Sequence, residues 1–297
     1  MNRRAIPRIE MIRYGGQPVH DTGFVAVPLA ISMDHDPMRA SPHYHDFYQV
    51  SVLVGKGTLM HDFRETSVSG VTMFFLSPGQ VHAVKRQPGL GGSILSFTRD
   101  FIDASGESML LDLPFFFATD VKPWLDLDAE AGETAMRLFQ EIQQEYDAAL
   151  PGAAEILRSQ LRILLVRASR WYEGKTVPVH SDRAAALGRR FQRLIETHFL
   201  EWSSLEPYAR ELGVTVNHLH DVVSGELGYP AGELIRQRRL LDAKRLLLHS
   251  SMSVAEICFH LGFKDPSYFG RFFRRYEGMT PVEFRKQIRE KYQKGGA

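Results

Sequence analysis

Three histidines and a glutamine stand at spacings suited to holding a ligand. His43, His45 and Gln49 lie in the run His43-Tyr44-His45-Asp46-Phe47-Tyr48-Gln49 and share the parity of one extended strand, which turns them to one side. A second run, Pro78-Gly79-Gln80-Val81-His82, reads as a turn that brings His82 close to them. Converging imidazoles can ligate a transition metal or hydrogen-bond a small molecule. Gln49 is neutral and a poor ligand for a divalent cation, which favours a small-molecule effector held by His43, His45, Gln49 and His82. A divalent metal on His43, His45 and His82 is the alternative. Phe47, Phe63, Phe74, Phe75 and Phe97 either line such a pocket, with Phe75 the chosen candidate, or fill the core. No phosphate-cradling glycine loop or acid/base pair accompanies these residues, so no catalytic role is expected.

The elements that must carry them are strands. Tyr48, Val50, Val52 and Val54 alternate with Phe47, Gln49, Ser51 and Leu53, and Gly55-Lys56-Gly57 supplies a turn. Further strands are expected at Thr58 to Asp62, Val71 to Leu76, Ala83 to Arg86 and Ser93 to Thr98, which without intervening helices implies an antiparallel barrel or sandwich over about 24–98. Met136, Phe139, Ile142 and Tyr146 then recur at helical steps. After Pro151-Gly152 a second helix carries Leu157, Leu161, Leu164, Leu165, Ala168 and Trp171. These helices, within about 130–172, either pack on the β-rich core or pair with a second copy as a homodimer. Leu113-Pro114-Phe115-Phe116-Phe117 is expected to pack over the barrel mouth or between domains. Residues 1–172 form the first domain in this reading, the polar stretch 173–182 a linker, and 183–297 a second, helical domain.

The whole chain of 297 residues has 36 Lys plus Arg against 35 Asp plus Glu, a net charge of +1 that taken alone argues against nucleic acid. The distribution reverses this. Residues 1–180 carry −4, 181–233 carry −3, and 234–297, with 14 basic against 6 acidic residues, carry +8. A lone cysteine, Cys258, excludes a disulfide framework and fits a reducing cytoplasm. No signal-peptide pattern or membrane-length apolar run is present, so no membrane association is expected.

Within the helical region one design appears twice. Leu205 to Leu212 leads through Gly213, Val214 and Thr215 into a helix from Val216, and Val254 to Leu261 leads through Gly262, Phe263, Lys264 and Asp265 into a helix from Pro266. Gly213 and Gly262 suit a positive φ, Thr215 and Asp265 suit N-caps, and Pro266 suits the first helical position. Each copy spells a helix-turn-helix, with Ala209 and Cys258 as the small residues that permit close helix approach.

The stretch Ile257-Cys258-Phe259-His260-Leu261-Gly262-Phe263-Lys264-Asp265-Pro266-Ser267-Tyr268-Phe269-Gly270-Arg271-Phe272-Phe273-Arg274-Arg275-Tyr276-Glu277-Gly278-Met279-Thr280-Pro281-Val282-Glu283-Phe284-Arg285 resembles the signature of the AraC/XylS transcription regulators, over about Leu205 to Arg285. The resemblance implies two recognition helices in successive major grooves of double-stranded operator DNA, held apart by a long helix at about Ala231 to His249, and RNA polymerase as a partner. Successive grooves lie about 34–36 Å apart. A spacer of roughly 26 Å, with the lateral offset of each unit, reaches them. Base contact then falls to Ser267, Tyr268 and Arg271 in the second unit and, by alignment, to Asn217, His218 and Asp221 in the first. Arg236, Arg239, Lys264, Arg274, Arg275 and Arg285 are expected on phosphates, with Arg238, Lys244, Arg245 and Lys286 as further basic residues of that kind. Asp221 stands where Arg is common in the family, so the second unit is expected to supply more affinity than the first.

The two histidine runs resemble the motifs of the cupin barrel found in the ligand-binding domains of many such regulators, although enzymatic cupins usually have Glu where this chain has Gln49. The expected architecture is a two-domain α+β chain: an N-terminal cupin-like antiparallel β-barrel with a helical hairpin, then an all-α domain with two helix-turn-helix motifs joined by a long helix. The expected function is a bacterial-type, cytoplasmic, effector-controlled transcription regulator, more often an activator in this family. A cupin metalloenzyme with an appended DNA-binding module, or a ligand-free regulator governed by a partner protein, are the alternatives.

Overall fold

A computed structural model describes residues 8–9, 11, 23–35, 41–62, 64–85, 87–102, 110, 113–117, 122–173 and 183–293. The chain divides into two compact units, one built on residues 7–116 and 120–178 and the other holding 179–297. Phe63, Arg86 and most of the expected linker lie outside the described residues.

The first unit has two antiparallel sheets. The larger runs β1 (Phe24–Pro28), β7 (Gly91–Phe97), β2 (Tyr48–Val54), β5 (Val71–Leu76) and β8 (Trp124–Leu127) in that order. The smaller runs β4 (Arg64–Val68), β3 (Gly57–His61) and β6 (His82–Lys85). The cupin-like β domain is therefore a pair of facing sheets, and among the described residues the hydrogen bonding does not close into a barrel. Leu53, Phe74, Leu76 and Ile94 from the larger sheet meet Leu59 and Val68 from the smaller in one buried cluster. The opposite face of the larger sheet is covered by α4 (Ala129–Ala148), which crosses β1, β2, β5 and β8 and buries Ala131, Ala135, Phe139, Ile142 and Tyr146. Met136, assigned to that apolar stripe by its spacing, is exposed, and Ala135 takes the buried position one residue earlier. Helix α5 (Ala153–Glu173) packs on α4 and on β8.

Several elements were not expected from the pattern. Helix α1 (Leu29–His35) follows directly on β1, whose last residue is Pro28. Strand β4 is an edge strand whose Arg64, Glu65 and Ser67 are exposed, so it lacks the alternation that marks a half-buried strand. Strand β8 is four residues long and runs almost directly into α4, whose N-cap Asp128 accepts from Ala131 N–H. The short helices α2 (Arg99–Ile102) and α3 (Pro114–Phe117) complete this unit, α3 carrying Phe115 against Phe75 on the helix-covered face.

The second unit contains α6 (Arg183–His198), α7 (Leu205–Leu212), α8 (Val216–Leu227), α9 (Ala231–His249), α10 (Val254–His260), α11 (Pro266–Glu277) and α12 (Pro281–Gln293). Helix α9, 19 residues and about 28 Å long, is its centre: α6, α8, α10 and α12 all lie against it. A helix so surrounded buries most of its circumference, and Arg238, Arg239 and Arg245 are buried beside Ile235, Ala243, Leu247 and Leu248.

Candidate DNA interface and effector site

The two helix-turn-helix units are closed by the same local chemistry. Gly213 and Gly262 adopt φ of 70° and 74°. Val214 N–H bonds to Ala209 O and Phe263 N–H to Cys258 O, each at 3.0 Å, so the buried small residues also supply the carbonyls that end their helices. Thr215 caps α8 by accepting from His218 N–H at 3.2 Å, and Asp265 caps α11 by accepting from Ser267 and Tyr268 N–H at 3.0 and 2.9 Å. Burial pushes the Cys258 thiol up, with the Asp265 charge adding to it, as befits a packing residue.

On each second helix one face enters the core and the other meets solvent. Leu219 and Val223 of α8 and Phe269, Phe272 and Phe273 of α11 are buried. Asn217, His218 and Asp221 on α8, and Ser267, Tyr268 and Arg271 on α11, are all exposed. Asp221 has the His220 ring nitrogen 3.6 Å away, and it keeps a negative charge on the first recognition face where the second presents Arg271.

The basic residues expected on phosphates divide. Lys264, Arg274 and Arg275 are exposed around α11. Arg236 is at the surface and paired with Glu233 at 2.9 Å. Arg239 and Arg285 are corrections. Arg239 Nε donates to Phe199 O at 2.6 Å and Nη2 to Leu200 O at 3.2 Å, so its donors are spent on the end of α6. Burial holds that guanidinium below its usual range, opposed in part by Tyr208. Arg285 Nε donates to Leu247 O at 3.2 Å, and together with Arg289, which bonds Leu247, Leu248 and Ser250 carbonyls, it caps α9. The C-terminal carbonyls of a helix carry partial negative charge, and an arginine fork satisfies them. Arg238 is likewise internal, between Glu196 at 2.8 Å and Asp242 at 3.2 Å and over the Phe199 ring. Burial works against its charge, and the two carboxylates more than offset that, raising its pKa. Lys244 pairs with Glu277 at 2.9 Å. The +8 of residues 234–297 thus overstates the charge available to DNA, because much of it builds the scaffold.

In the first unit the histidines do converge, by a different route from the one their parity implied. His43 and His45 precede β2, separated from Gln49 by a bend at Asp46 and Phe47. The main chains of His43 and His82 exchange hydrogen bonds of 3.0 and 2.9 Å, and Gly79 N–H bonds to His45 O at 2.8 Å, so the Pro78 to His82 turn folds back on the first run. The His82 ring lies 4.1 Å from that of His43 and 4.7 Å from that of His45, and His45 stacks on Phe47 at 4.0 Å.

Register decides what faces this cluster. His82 pairs with His61, two residues from core Leu59, and His61 faces Phe74 across the interior at 6.0 Å. Gln49 pairs with Leu76 and Ser96, and Ser51 with Phe74 and Ile94, so these three polar side chains share the face that looks between the sheets. Gln49 donates to Ser51 Oγ at 3.3 Å. Phe75 pairs with Val50, one residue out of that parity, and stacks on Phe115 at 3.9 Å on the helix-covered face. Phe75 is therefore removed from the effector set as a core residue, and Phe74 is the aromatic of the inner face. Sequence reasoning also missed Ser51, Ser96 and His61. Their parity with Gln49 along β2, and the pairing of strands, is the signal that identifies them.

The three rings each direct Nδ1 at a main-chain oxygen: Ser41 O at 2.8 Å, Phe47 O at 2.8 Å and Gln80 O at 3.1 Å for His43, His45 and His82. A carbonyl only accepts, so Nδ1 carries the proton and the lone pair of a neutral ring lies at Nε2. Burial keeps His82 well below the usual imidazole range, and His43, His45 and His61 push the same way. At His82 the inner end of the unit therefore offers a neutral acceptor. Among the described residues no group of three or more His, Cys, Asp or Glu is arranged to hold a metal ion.

A family model described as an AraC-like ligand binding domain matches residues 29–164, and one described as a helix-turn-helix domain matches residues 208–287. The "HTH-type transcriptional activator RhaS" of Escherichia coli O157:H7 is 26% identical over 252 residues, 82% of this chain and 87% of that protein. The chain belongs to the AraC family of transcription regulators. Another relative, the RhaS activator of Salmonella schwarzengrund (strain CVM19633), is 28% identical over 261 residues, 84% of this AraC-family chain and 89% of its own. Among solved structures, unsaturated fatty acid bound wild-type ToxT from Vibrio cholerae strain SCE256 is similar over 89% of this chain and 95% of its own, at 14% identity and a TM-score of 0.41. This AraC-family member is a DNA-binding regulator with an N-terminal ligand-binding domain. Among the described residues no helix is long and apolar enough to cross a membrane.

Proposed function

We propose that the chain is a cytoplasmic transcriptional activator, and not an enzyme, whose effector binds between the two sheets of the first unit at His43, His45, Gln49 and His82, joined by Ser51 and Ser96. What supports this reading is the concentration of buried polar side chains at one end of an otherwise apolar interior, where folding alone gains nothing from them. With a neutral acceptor at His82, the effector is a small polar molecule that brings hydrogen-bond donors. A carboxylate or phosphate would meet lone pairs there. The effector acts by binding the two regulatory states with different affinity, since equal affinity shifts no population.

On DNA, Arg271 is the candidate for bidentate contact with guanine, Ser267 and Tyr268 flank it, and Asn217, His218 and Asp221 read the first half of the operator. Lys264, Arg274, Arg275 and Arg236 supply phosphate contacts that fix register. RNA polymerase is the partner through which activation works. Homodimerisation uses α4 and α5, where Met136, Ile156, Ile163 and Val166 are exposed. The name of the RhaS relatives supports the sign of regulation.

Thermal stabilisation by a panel of neutral polyhydroxyl, amine and carboxylate metabolites tests the effector assignment. A ligand at 100 times its Kd adds about 2.7 kcal/mol. Stabilisation by a donor-rich compound that is lost in Gln49→Ala supports the site, and stabilisation by carboxylates alone overturns it.

A further inference from the structure

Arg239 sits where both helix-turn-helix units meet the central helix. From α9 it bonds the Phe199 and Leu200 carbonyls that end α6, at 2.6 and 3.2 Å. That end of α6 is tied to the first unit, because Tyr208 of α7 packs edge-on against Phe191 and Trp202, at 5.4 and 5.0 Å, and donates its hydroxyl to Trp202 O at 3.1 Å. On its other side the guanidinium lies 5.6 Å from the ring of Phe263, in the turn of the second unit. Phe263 in turn packs on Tyr268, Phe269 and Phe272 of α11, at 6.0, 5.2 and 5.0 Å. The turn presses on the same carbonyl: a Cβ on Gly262 would stand 2.6 Å from Leu200 O and 3.4 Å from Arg239 Nη2. One planar cation thus holds the end of α6 and the second turn in fixed relation.

We propose that Arg239 is a positioning residue that sets the spacing between the two recognition helices, acting from inside the domain. A guanidinium bridges two carbonyls and presents a flat face to an aromatic ring at once. A lysine carries the same charge but, as a point donor, cannot do both. The proposal rests on the reading that both units engage DNA, and the experiment keeps the two separable.

The full chain is used to select duplexes from a random-sequence pool. A consensus with two blocks about one helical turn apart supports two-unit engagement. A single block overturns that reading on the wild type alone. The selected duplex is then compared with versions carrying one base pair more or fewer between the blocks. Arg239→Lys is expected to weaken binding to the selected duplex about tenfold, the scale of lost charge-assisted hydrogen bonds. It should also reduce the penalty for altered spacing to about twofold or less, while leaving the slope of log K against log salt as it was. A slope lower by about one, with the spacing preference intact, makes Arg239 a phosphate contact and overturns the proposal. So does unchanged affinity and unchanged spacing. If Arg239→Lys loses its near-ultraviolet circular dichroism, Phe263→Leu carries the test: relaxed spacing is the expected result, and a spacing preference equal to wild type overturns the proposal.

Discussion

His43 and His82 are joined twice, by reciprocal main-chain hydrogen bonds of 3.0 and 2.9 Å and by ring contact at 4.1 Å. The backbone pairing holds together two imidazoles that repel once charged, and His45 and His61 add to that repulsion at His82. The buried His82 has a folded-state pKa below the unfolded value of about 6.5, so between those values the unfolded chain binds a proton that the folded chain refuses. Stability is full above about pH 6.5 and is lost as pH falls from there through the folded-state value. The melting temperature of the sensor unit is expected to drop between about pH 7 and about pH 5.5, and less steeply in His82→Asn. Calorimetry across that range, with equal slopes in both proteins, would remove His82 as the cause.

Arg271 on α11 and Asn217 on α8 are both exposed, in opposite electrostatic settings, and the place that Arg271 holds on α11 is taken on α8 by Asp221. Arg271 is followed by exposed Arg274 and Arg275, whereas Asn217 is followed by Asp221. Arg271→Ala is expected to cost about 1–3 kcal/mol and relax preference at one base pair, a bigger loss than Asn217→Ala. Fluorescence anisotropy on the selected duplex ranks the two directly, and a larger loss from Asn217→Ala reverses the order.

How far the residues alone led depends on whether the deciding interaction was local. Helices α7 and α9 were readable to the residue, and so were Thr215, Asp265, Gly213 and Gly262, because caps and C-terminal glycines act within a few positions. The proximity of His82 to His43 followed from a turn, also local. Phe74 and Phe75 are neighbours of equal burial, and which one faces the interior is settled only by register against β2. Arg239 shows the limit for charge: it reads as a surface residue in a basic run, yet its partners are 39 and 40 residues away at the end of α6. No periodicity in α9 announced this, since a helix enclosed on most sides has no single apolar stripe.

Arg238 bridges Glu196 of α6 and Asp242 of α9 in a buried setting. Removing the cation leaves two carboxylates with nothing to offset their burial. Arg238→Met is expected to destabilise the second unit by about 3–5 kcal/mol, measured by urea denaturation. A loss under about 1 kcal/mol would place the pair among weakly coupled surface ions.

Gln49 is buried on the inner face, and its side chain donates to Ser51 there. A neutral pair of this kind contributes little net stability, while its burial carries a desolvation cost. If ligand recognition holds Gln49 in place, an apolar residue of similar volume should fold as well or better. Gln49→Leu is expected to leave the melting temperature unchanged or raised, and to abolish stabilisation by the effector. A marked fall in melting temperature would mean that the amide serves packing at the inner end of β2, and would move the effector away from this face.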